Sequence, residues 1–172
     1  DRYYRSRFPE FARIANRLVT VSEFSKNDIV AQFGVSSDSI DVVYNAPASV
    51  YAQGTTAERA ADGRFTDGRP YSLFVGSLHP RKNLNGLLEA FGMYRAEGGT
   101  RELLIVGAEM WSASETPQDG VHYAGRLGRG QLAQVMRGAE GLVFVPWIEV
   151  YRVPIVEAFA SGVPVIASNT TA

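Results

Sequence analysis

The stretch from residue 142 to residue 169 limits the possible folds of this chain more than any other part of its sequence. It begins with a continuous apolar run, Leu142–Val145, of the kind found in strands that are covered on both faces. Pro154 then fits the first position of a helix, Gly162 ends that helix, and a second apolar run follows at residues 163–166. The turn before the second run is short, so the pattern predicts a right-handed βαβ unit with parallel strands.

Two glutamates of this unit are candidates for ligand contacts. Ligands of open parallel sheets bind outside the carboxyl ends of the strands. Glu149 lies on the loop that leaves the first strand, and Glu157 lies near the start of the following helix. We therefore expect both carboxylates to line one crevice. The helix also carries an apolar stripe that we expect to be buried, formed by Ile155, Ala158 and Phe159.

The composition is that of an ordinary globular protein and excludes several classes of function. The chain has 172 residues, a formal net charge of -1 and no cysteine. The near-neutral charge argues against a dedicated nucleic-acid-binding protein, and the lack of cysteine excludes disulfides, thiol catalysis and thiolate metal sites. The sequence contains no signal peptide and no membrane-spanning run, which predicts a cytoplasmic location. It lacks an initiating methionine and stops just after a strand, so we expect an excised fragment.

The first part of the chain predicts a helix followed by a strand. Residues 1–16 mix arginines with aromatic side chains in a pattern that tolerates a helix interrupted at Pro9. Such a segment is either a basic surface helix or one attracted to a membrane surface, at the inner face of the membrane for a cytoplasmic protein. Residues 18–21 form an apolar run typical of a strand.

A capped helix and a second strand follow. Ser25 is the predicted N-cap, and Gly34 is the predicted stop. Three apolar residues are expected on the inner face of this helix, namely Ile29, Val30 and Phe33. Residues 40–44 are predicted to be a strand, and the small and polar residues of 46–69 predict a linker and surface loop that contains a domain boundary.

From Tyr71 onward, strands and helices alternate. The predicted strands are residues 71–75, 103–106, 121–123 and 142–145, and the third of these is expected at an edge of the sheet because it is less apolar. Helices are predicted from Asn83, as N-cap, to Gly98, and over residues 129–139. This alternation predicts a Rossmann-like, doubly wound parallel α/β domain.

The loop after the first of these strands has the composition of a phosphate site. It runs from Gly76 to Asn83 and places Arg81 and Lys82 just before a helix N-terminus, where N–H groups, the helix dipole and two cations can converge. His79 of this loop either contacts the ligand or faces solvent. Elsewhere we expect His122 to be structural, and Trp147 either to pack beneath the Glu149 loop or to stack on a base.

Several segments together match a known family. They include Val21-Ser22-Glu23-Phe24-Ser25-Lys26, Phe74-Val75-Gly76, Leu104-Ile105-Val106-Gly107, Tyr123-Ala124-Gly125, and the two glutamates followed by Ala158-Phe159-Ala160-Ser161-Gly162-Val163-Pro164-Val165-Ile166. The set resembles the retaining glycosyltransferases of family 4, which have the GT-B fold of two Rossmann-like domains. The resemblance implies that residues 1–45 are the last part of the N-terminal acceptor-side domain and that residues 46–69 are the linker between the domains. Residues 70–172 would then form a donor-binding domain that is truncated at its C-terminus. Such a fragment is expected to be inactive alone.

The resemblance also implies roles for individual residues. Glu149, which would hold hydroxyls of the donor sugar without acting as a nucleophile, and Lys82, which would neutralise the donor diphosphate, are the catalytic candidates. Glu157 would bond the ribose of the nucleotide, and Arg81 would assist Lys82. The remaining donor-binding candidates are Gly76, Ser77, Tyr151, Arg152, Val153 and Pro154. The implied donor is a UDP-, GDP- or ADP-linked sugar, the acceptor is a glycan, a lipid or a protein, and no metal or other cofactor is required.

Two positions depart from the pattern of the family. Relatives carry a glycine-aromatic-glycine run where this chain has Val150-Tyr151-Arg152, and many carry arginine at the position of Ser77. Side chains at positions 150 and 152 restrict positive φ, and Arg152 either replaces lost N–H contacts to phosphate or blocks the site. These departures leave a second hypothesis, a degenerate, non-catalytic nucleotide-binding or interaction module of the same fold.

Overall fold

The computed structural model describes residues 2–55, 63–108 and 118–169, so part of the predicted linker at 46–69 and the last residues of the chain lie outside the described residues. The chain divides into two units. Of the described residues, unit 1 comprises 2–46 and 149–152. Unit 2 comprises the described residues 47–55, 63–108, 118–148 and 153–169.

The described residues of unit 1 form two α-helices and a two-stranded parallel sheet. Its elements are α1 (Arg2–Ile14), β1 (Leu18–Thr20), α2 (Glu23–Phe33) and β2 (Ile40–Val42). Leu18 pairs with Ile40 and Thr20 with Val42. Helix α1 continues through Pro9, whereas the sequence predicted an interruption there. The reason is that a single proline removes one backbone donor, and the helix has enough residues on both sides to continue.

Helix α1 presents most of its large apolar side chains to solvent. The exposed residues are Tyr3, Tyr4, Phe8, Phe11 and Ile14. Within the described ranges, no helix combines the length and the apolar character needed to cross a bilayer. The expected attraction of this segment to a membrane surface stays a prediction.

The cap of α2 differs from the prediction. Ser22, in an extended conformation, is the N-cap, and its hydroxyl accepts a hydrogen bond from the Ser25 N–H at 3.1 Å. Ser25 therefore supplies the donor that the cap satisfies, three positions into the helix. Gly34 ends the helix in the left-handed conformation, with φ 65°, as predicted. The apolar face of α2 is only half-buried, because none of its residues is fully covered.

The described residues of unit 2 form a five-stranded parallel sheet with helices. Its elements are β3 (Tyr71–Val75), α3 (Leu84–Ala96), β4 (Glu102–Val106), β5 (Val121–Gly125), α4 (Arg129–Gly138), β6 (Gly141–Phe144), α5 (Val153–Ala160) and β7 (Val165–Ala167). The strand order is β5-β4-β3-β6-β7, and every neighbouring pair is parallel. The Rossmann-like α/β prediction is confirmed, and β5 lies at an edge as expected. The order of the strands reverses between β3 and β6.

Two apolar clusters cover the two faces of this sheet. Alternate residues of a strand point to opposite faces, so Leu104 belongs to one cluster and Ile105 to the other. The first cluster includes Val135 of α4 and Ala158 of α5, and the second includes Phe91 of α3. The central strands are therefore buried on both sides, which is why their sequences are continuously apolar.

The buried face of α5 is narrower than predicted. Ala158 is fully buried and Ile155 is half-buried, but Phe159 is 62% exposed. Phe159 follows Ala158 directly, so its side chain is turned by about 100° around the helix axis, away from the sheet. Pro154 is the second residue of the helix and not the first.

A polar cluster around the buried Glu102 lies at the amino end of β4, remote from the strand exits. Glu102 is fully buried, and its carboxylate lies 2.9 Å from Nη1 of Arg69 and 2.8 Å from Nε2 of His122. Arg95 of α3 lies 3.7 Å away and also pairs with Asp119. These contacts give His122 the structural position that the sequence predicted.

The turns after β3 and β4 pack with no space between them. The Gly76 N–H donates to the carbonyl of Val106 at 3.0 Å. A Cβ atom added to Gly107 would lie 1.7 Å from the carbonyl oxygen of Gly76, closer than any real contact. Gly107 is thus required by the approach of two backbones at the strand ends.

We expect Gly107→Ala to lower the free energy of unfolding by at least about 2 kcal/mol, because the new methyl group must displace backbone. Gly130→Ala is the matched control, since Gly130 lies in α4 with open space around the added Cβ. This control should be neutral or raise stability by about 0.5–1 kcal/mol. Urea unfolding followed by circular dichroism measures both, and equal stability of the two variants would contradict the packing argument.

Candidate functional site

The carboxyl ends of β3 and β6 form the candidate site of unit 2. These neighbouring parallel strands lie where the strand order reverses, and open α/β sheets bind ligands in the crevice outside such a point. The loop after β3 carries four of the predicted residues, Gly76, Ser77, Arg81 and Lys82. The sequence therefore placed these four candidates correctly at a strand end.

Hydrogen bonds join the two loops that leave these strands. The Trp147 N–H donates to the carbonyl of Arg81 at 2.9 Å. The side-chain amide of Asn83 donates to the carbonyl of Val145 at 3.1 Å, and the Arg81 guanidinium donates to the carbonyl of Ile148 at 3.4 Å. Because two backbones are connected in this way, the position of the cations at residues 81 and 82 is fixed relative to the β6 loop.

Asn83 has a different role from the predicted one. It adopts a left-handed conformation with φ 58° and makes no side-chain hydrogen bond to cap α3. Its side-chain amide donates instead to the carbonyl of Val145, which lies 62 residues away in sequence. A local capping pattern could not indicate this partner, because the contact depends on the pairing of β3 with β6.

A short 3-10 turn, Pro80–Lys82, shapes the loop after β3. The Nδ1 atom of His79 accepts a hydrogen bond from the Arg81 N–H at 3.1 Å and so caps this turn. The structure thus gives His79 a structural role. Arg81 itself is exposed, so its guanidinium can reach a ligand from solvent.

Lys82 is buried, unlike an ordinary surface lysine. Its side chain is 8% exposed, and its Nζ atom lies 5.0 Å from the centroid of the Phe144 ring. Its Cε atom would be 3.6 Å from a Cβ on Gly76, so the aliphatic stem packs beside that glycine. A cation held in this way has few alternative rotamers and loses little entropy when it pairs with an anion.

Glu157, on α5, belongs to a second polar cluster. Burial raises the pKa of the Glu157 carboxyl above its ordinary value, while a hydrogen bond with the Tyr51 side chain and the positive charge of Arg129 lower it. Burial, and then the charge and hydrogen bond of Glu157, raise the pKa of Tyr51 to about 12. The Tyr51 hydroxyl is therefore protonated at neutral pH and acts as the donor.

Sequence reasoning missed Tyr51 and Arg129. Tyr51 lies in the stretch predicted to be a linker and surface loop, yet it is only 6% exposed and joins the apolar core. The adjacent apolar pair Val50-Tyr51, within an otherwise small and polar stretch, was the available signal. Tyr51 is therefore not at the surface, where a residue of this stretch was expected, because its ring packs into the core of the sheet domain.

The start of α5 holds the remaining candidates of unit 2, Val153 and Pro154. Both are half-buried, and they begin the helix that follows β6. Trp147 on the same connection is 61% exposed. This exposure does not fit the interpretation in which its ring packs beneath the loop.

Three predicted residues, Glu149, Tyr151 and Arg152, belong to unit 1. Glu149 is 9% exposed and Arg152 is half-buried. The Tyr151 hydroxyl donates to the carbonyl of Asn45 at 2.7 Å, and its ring lies 6.5 Å from that of Tyr44. The expectation that Glu149 and Glu157 line one crevice stays a prediction, since the two residues lie in different units.

The segment Val150-Tyr151-Arg152, which stands where the family has glycines, shows no backbone strain. Side chains at these positions would cause strain only if φ were positive. The non-glycine residues with positive φ in the described ranges are Asp67 and Asn83, so Val150 and Arg152 have ordinary backbone conformations. The Ser22 hydroxyl donates to the carbonyl of Val150 at 3.1 Å and fixes this conformation. Glycine is not needed for the path that the chain takes here.

A large apolar cavity lies between α3 and the sheet of unit 2, and its lining includes Asn83 and Val145, which join the two loops of the candidate site. It measures about 670 Å³ and is lined mainly by α3 and by strands β3, β6 and β7, including Leu87, Phe91, Val143 and Val165. None of the predicted site residues lines it. In the described part of the chain, no group of three or more His, Asp or Glu side chains is arranged to hold a metal ion.

Comparison with characterised proteins relates this geometry to known enzymes. The chain is 29% identical over 181 residues to the O-antigen chain mannosyltransferase B of Escherichia coli, which covers 99% of the chain and 48% of the relative. It is 31% identical over 171 residues to the D-inositol 3-phosphate glycosyltransferase of Nocardia farcinica, covering 90% of the chain and 38% of the relative. The chain thus spans less than half the length of the curated relatives it matches.

Solved structures show the same fold. The Anabaena protein Alr3699/HepE, solved in complex with UDP-glucose, superimposes with a TM-score of 0.80 at 15% identity, over 94% of this chain and 47% of that one. WaaG, a glycosyltransferase of lipopolysaccharide biosynthesis, gives a TM-score of 0.77 at 17% identity, over 90% and 45%. The model of the family described as glycosyl transferases group 1 matches residues 56–172, which is more than half of the chain. The chain therefore belongs to the glycosyl transferases group 1 family, whose structural relatives have the GT-B fold.

Proposed function

We propose that this chain holds the donor site of an enzyme that transfers a hexosyl group, with retention of configuration, from a nucleotide-sugar to an acceptor. The observation that carries the proposal is the buried Lys82, fixed beside exposed Arg81 where the strand order reverses. Support comes from the relatives: one is a mannosyltransferase, and the structural relative HepE was solved with UDP-glucose. The acceptor is a glycan, a lipid or another molecule with a free hydroxyl group.

The chemistry of sugar transfer explains the two cations. When the bond from the anomeric carbon to the donor diphosphate breaks, negative charge develops on the nucleoside diphosphate that leaves. Lys82 and Arg81, together with the N–H groups of the loop after β3, can stabilise this charge without moving. In this proposal the cations do what a divalent metal does in other transferases, so the reaction requires no metal.

Carboxylates suit the other half of the donor. An ionised carboxylate only accepts hydrogen bonds, and its two oxygens can accept from paired hydroxyl groups. Glu157 would accept from the ribose of the nucleotide, and Glu149 would accept from hydroxyls of the transferred sugar. Val153, Pro154, Tyr151 and Arg152 would border the donor. Glu149 has no role as a nucleophile in this scheme, and proton NMR of the product's anomeric configuration tests retention in the complete protein.

Removing the charge of Lys82 should weaken donor binding. We expect Lys82→Met to lower the affinity for UDP, GDP or ADP, whichever binds, by about 10- to 100-fold, because it removes a charge-assisted bond to the diphosphate. Calorimetric titration measures the affinities, and Lys26→Met is the control because Lys26, on α2 of unit 1, donates to the carbonyl of Ile40.

Two results would contradict this prediction. If Lys82→Met and the unaltered chain bound the nucleoside diphosphate with equal affinity, Lys82 would not be part of the site. No binding of UDP, GDP or ADP to the unaltered chain at millimolar concentration would favour the non-catalytic interaction module.

Substitutions of the two glutamates should distinguish contacts to the nucleotide from contacts to the sugar. Glu157→Gln should weaken both the nucleoside diphosphate and the intact nucleotide-sugar, since both contain the ribose. Glu149→Gln should weaken the nucleotide-sugar alone, by roughly 10-fold for one lost charged hydrogen bond. Parallel titrations with UDP and UDP-glucose, or the matching GDP or ADP pair, measure the difference. Identical losses in the two variants for both ligands would show that the roles are assigned wrongly.

A further inference from the structure

The segment that carries Tyr51 is held rigidly against α4. The Tyr51 N–H donates to the carbonyl of Ala48 at 2.9 Å, which closes a turn. The guanidinium of Arg137, on α4, donates to the carbonyl of Val50 at 3.1 Å. The Tyr51 ring is buried in the same apolar cluster as Ala158 of α5. The ring therefore cannot leave its place without opening the core, and its hydroxyl has a fixed position.

The hydroxyl of Tyr51 lies next to the carboxylate of Glu157. The two side chains are hydrogen-bonded, and the positive charge of Arg129, at the start of α4, also acts on Glu157. Glu157 is half-buried, so burial alone would favour its protonated form. Tyr51 and Arg129 both oppose this effect, and both favour the ionised carboxylate.

We propose that Tyr51 is a positioning residue for Glu157, whose carboxylate it orients for hydrogen bonds from ribose hydroxyls. A carboxylate offers about four acceptor sites, so one bond from Tyr51 leaves an oxygen and further lone pairs for the ligand. The inference rests on the proposed function, because it takes the donor nucleotide as the ligand. It adds a residue from the stretch before the sheet domain to the nucleotide side of the site.

The substitution Tyr51→Phe tests this role, because it keeps the ring in the core and removes only the hydroxyl. We expect affinity for UDP, or for GDP or ADP if one of these is the nucleotide bound, to fall roughly 3- to 10-fold at neutral pH. Affinity for inorganic diphosphate, which has no ribose, should stay the same.

The pH dependence of nucleotide binding distinguishes a positioning role of Tyr51 from a purely structural one. Binding of the nucleotide is lost as pH falls through the pKa of Glu157, since a protonated carboxyl has lost acceptor capacity. The Tyr51 hydrogen bond lowers that pKa, so Tyr51→Phe should shift the acid limb of the binding curve to higher pH. Tyr71→Phe is the matched control: Tyr71 is also buried, but its hydroxyl donates to the backbone carbonyl of Val135 at 2.7 Å. This control should not move the acid limb.

A ligand-free measurement tests the pair on its own. Spectrophotometric titration should show a tyrosine with a pKa of about 12 in the unaltered chain, and this titration should be absent from Tyr51→Phe. In Glu157→Gln the pKa of Tyr51 should be lower than in the unaltered chain but still above its ordinary value, because the ring stays buried. An unchanged titration in Glu157→Gln overturns the inference.

The binding outcomes distinguish this inference from the proposed function. If the unaltered chain binds a nucleotide and Tyr51→Phe binds it equally well at all pH values, the inference alone is overturned. An equal loss of inorganic diphosphate binding in Tyr51→Phe also overturns it, because the effect would then be structural. If the unaltered chain binds no nucleotide, the proposed function is overturned and the inference with it.

Discussion

The hydrogen bond from the Trp147 N–H to the carbonyl of Arg81 connects the two loops on which the candidate site depends. The loops follow β3 and β6, which are adjacent in the sheet although two other strands lie between them in sequence. Asn83 strengthens the junction, since its left-handed conformation directs its amide to Val145. That conformation costs most residues about 1–2 kcal/mol, but asparagine tolerates it better than most. Together with the pairing of β3 and β6 and the packing of Lys82 on the Phe144 ring, this junction fixes the position of the cations relative to β6.

Two charged groups of unit 2, Lys82 and Glu157, are held in buried or half-buried positions. Lys82 lies beside Gly76 and over the Phe144 ring, where little water reaches it. A buried cation loses hydration, and an anion that approaches it is attracted more strongly than it would be in water. Glu157 shows the same principle with the opposite sign, because Tyr51 and Arg129 hold its carboxylate in a half-buried position. One group therefore suits a phosphate, and the other suits hydroxyl donors.

The sheet was predictable because its signal is local. Continuous apolar runs bounded by glycine or proline are sufficient to find β3, β4 and β6, and Phe74 and Leu104 are fully buried as such runs require. The positions of Arg81 and Lys82 after a strand were predictable for the same reason. What the sequence could not provide were contacts between distant segments, such as the bond from Asn83 to Val145 or from Tyr51 to Glu157. The burial of Lys82 and the exposure of Phe159 likewise depend on which elements pack together.

The departure at Val150-Tyr151-Arg152 is best understood as a change in how the segment is held. In the pattern of the family, glycines let the backbone take conformations closed to other residues, and flexibility is the cost. Here the backbone avoids positive φ, and the Ser22 and Tyr151 hydroxyls donate to the carbonyls of Val150 and Asn45. These side-chain hydrogen bonds within unit 1 restrict the conformation of the segment, whereas glycines would make it more flexible. The substitutions are therefore compatible with an ordered segment that is free of backbone strain.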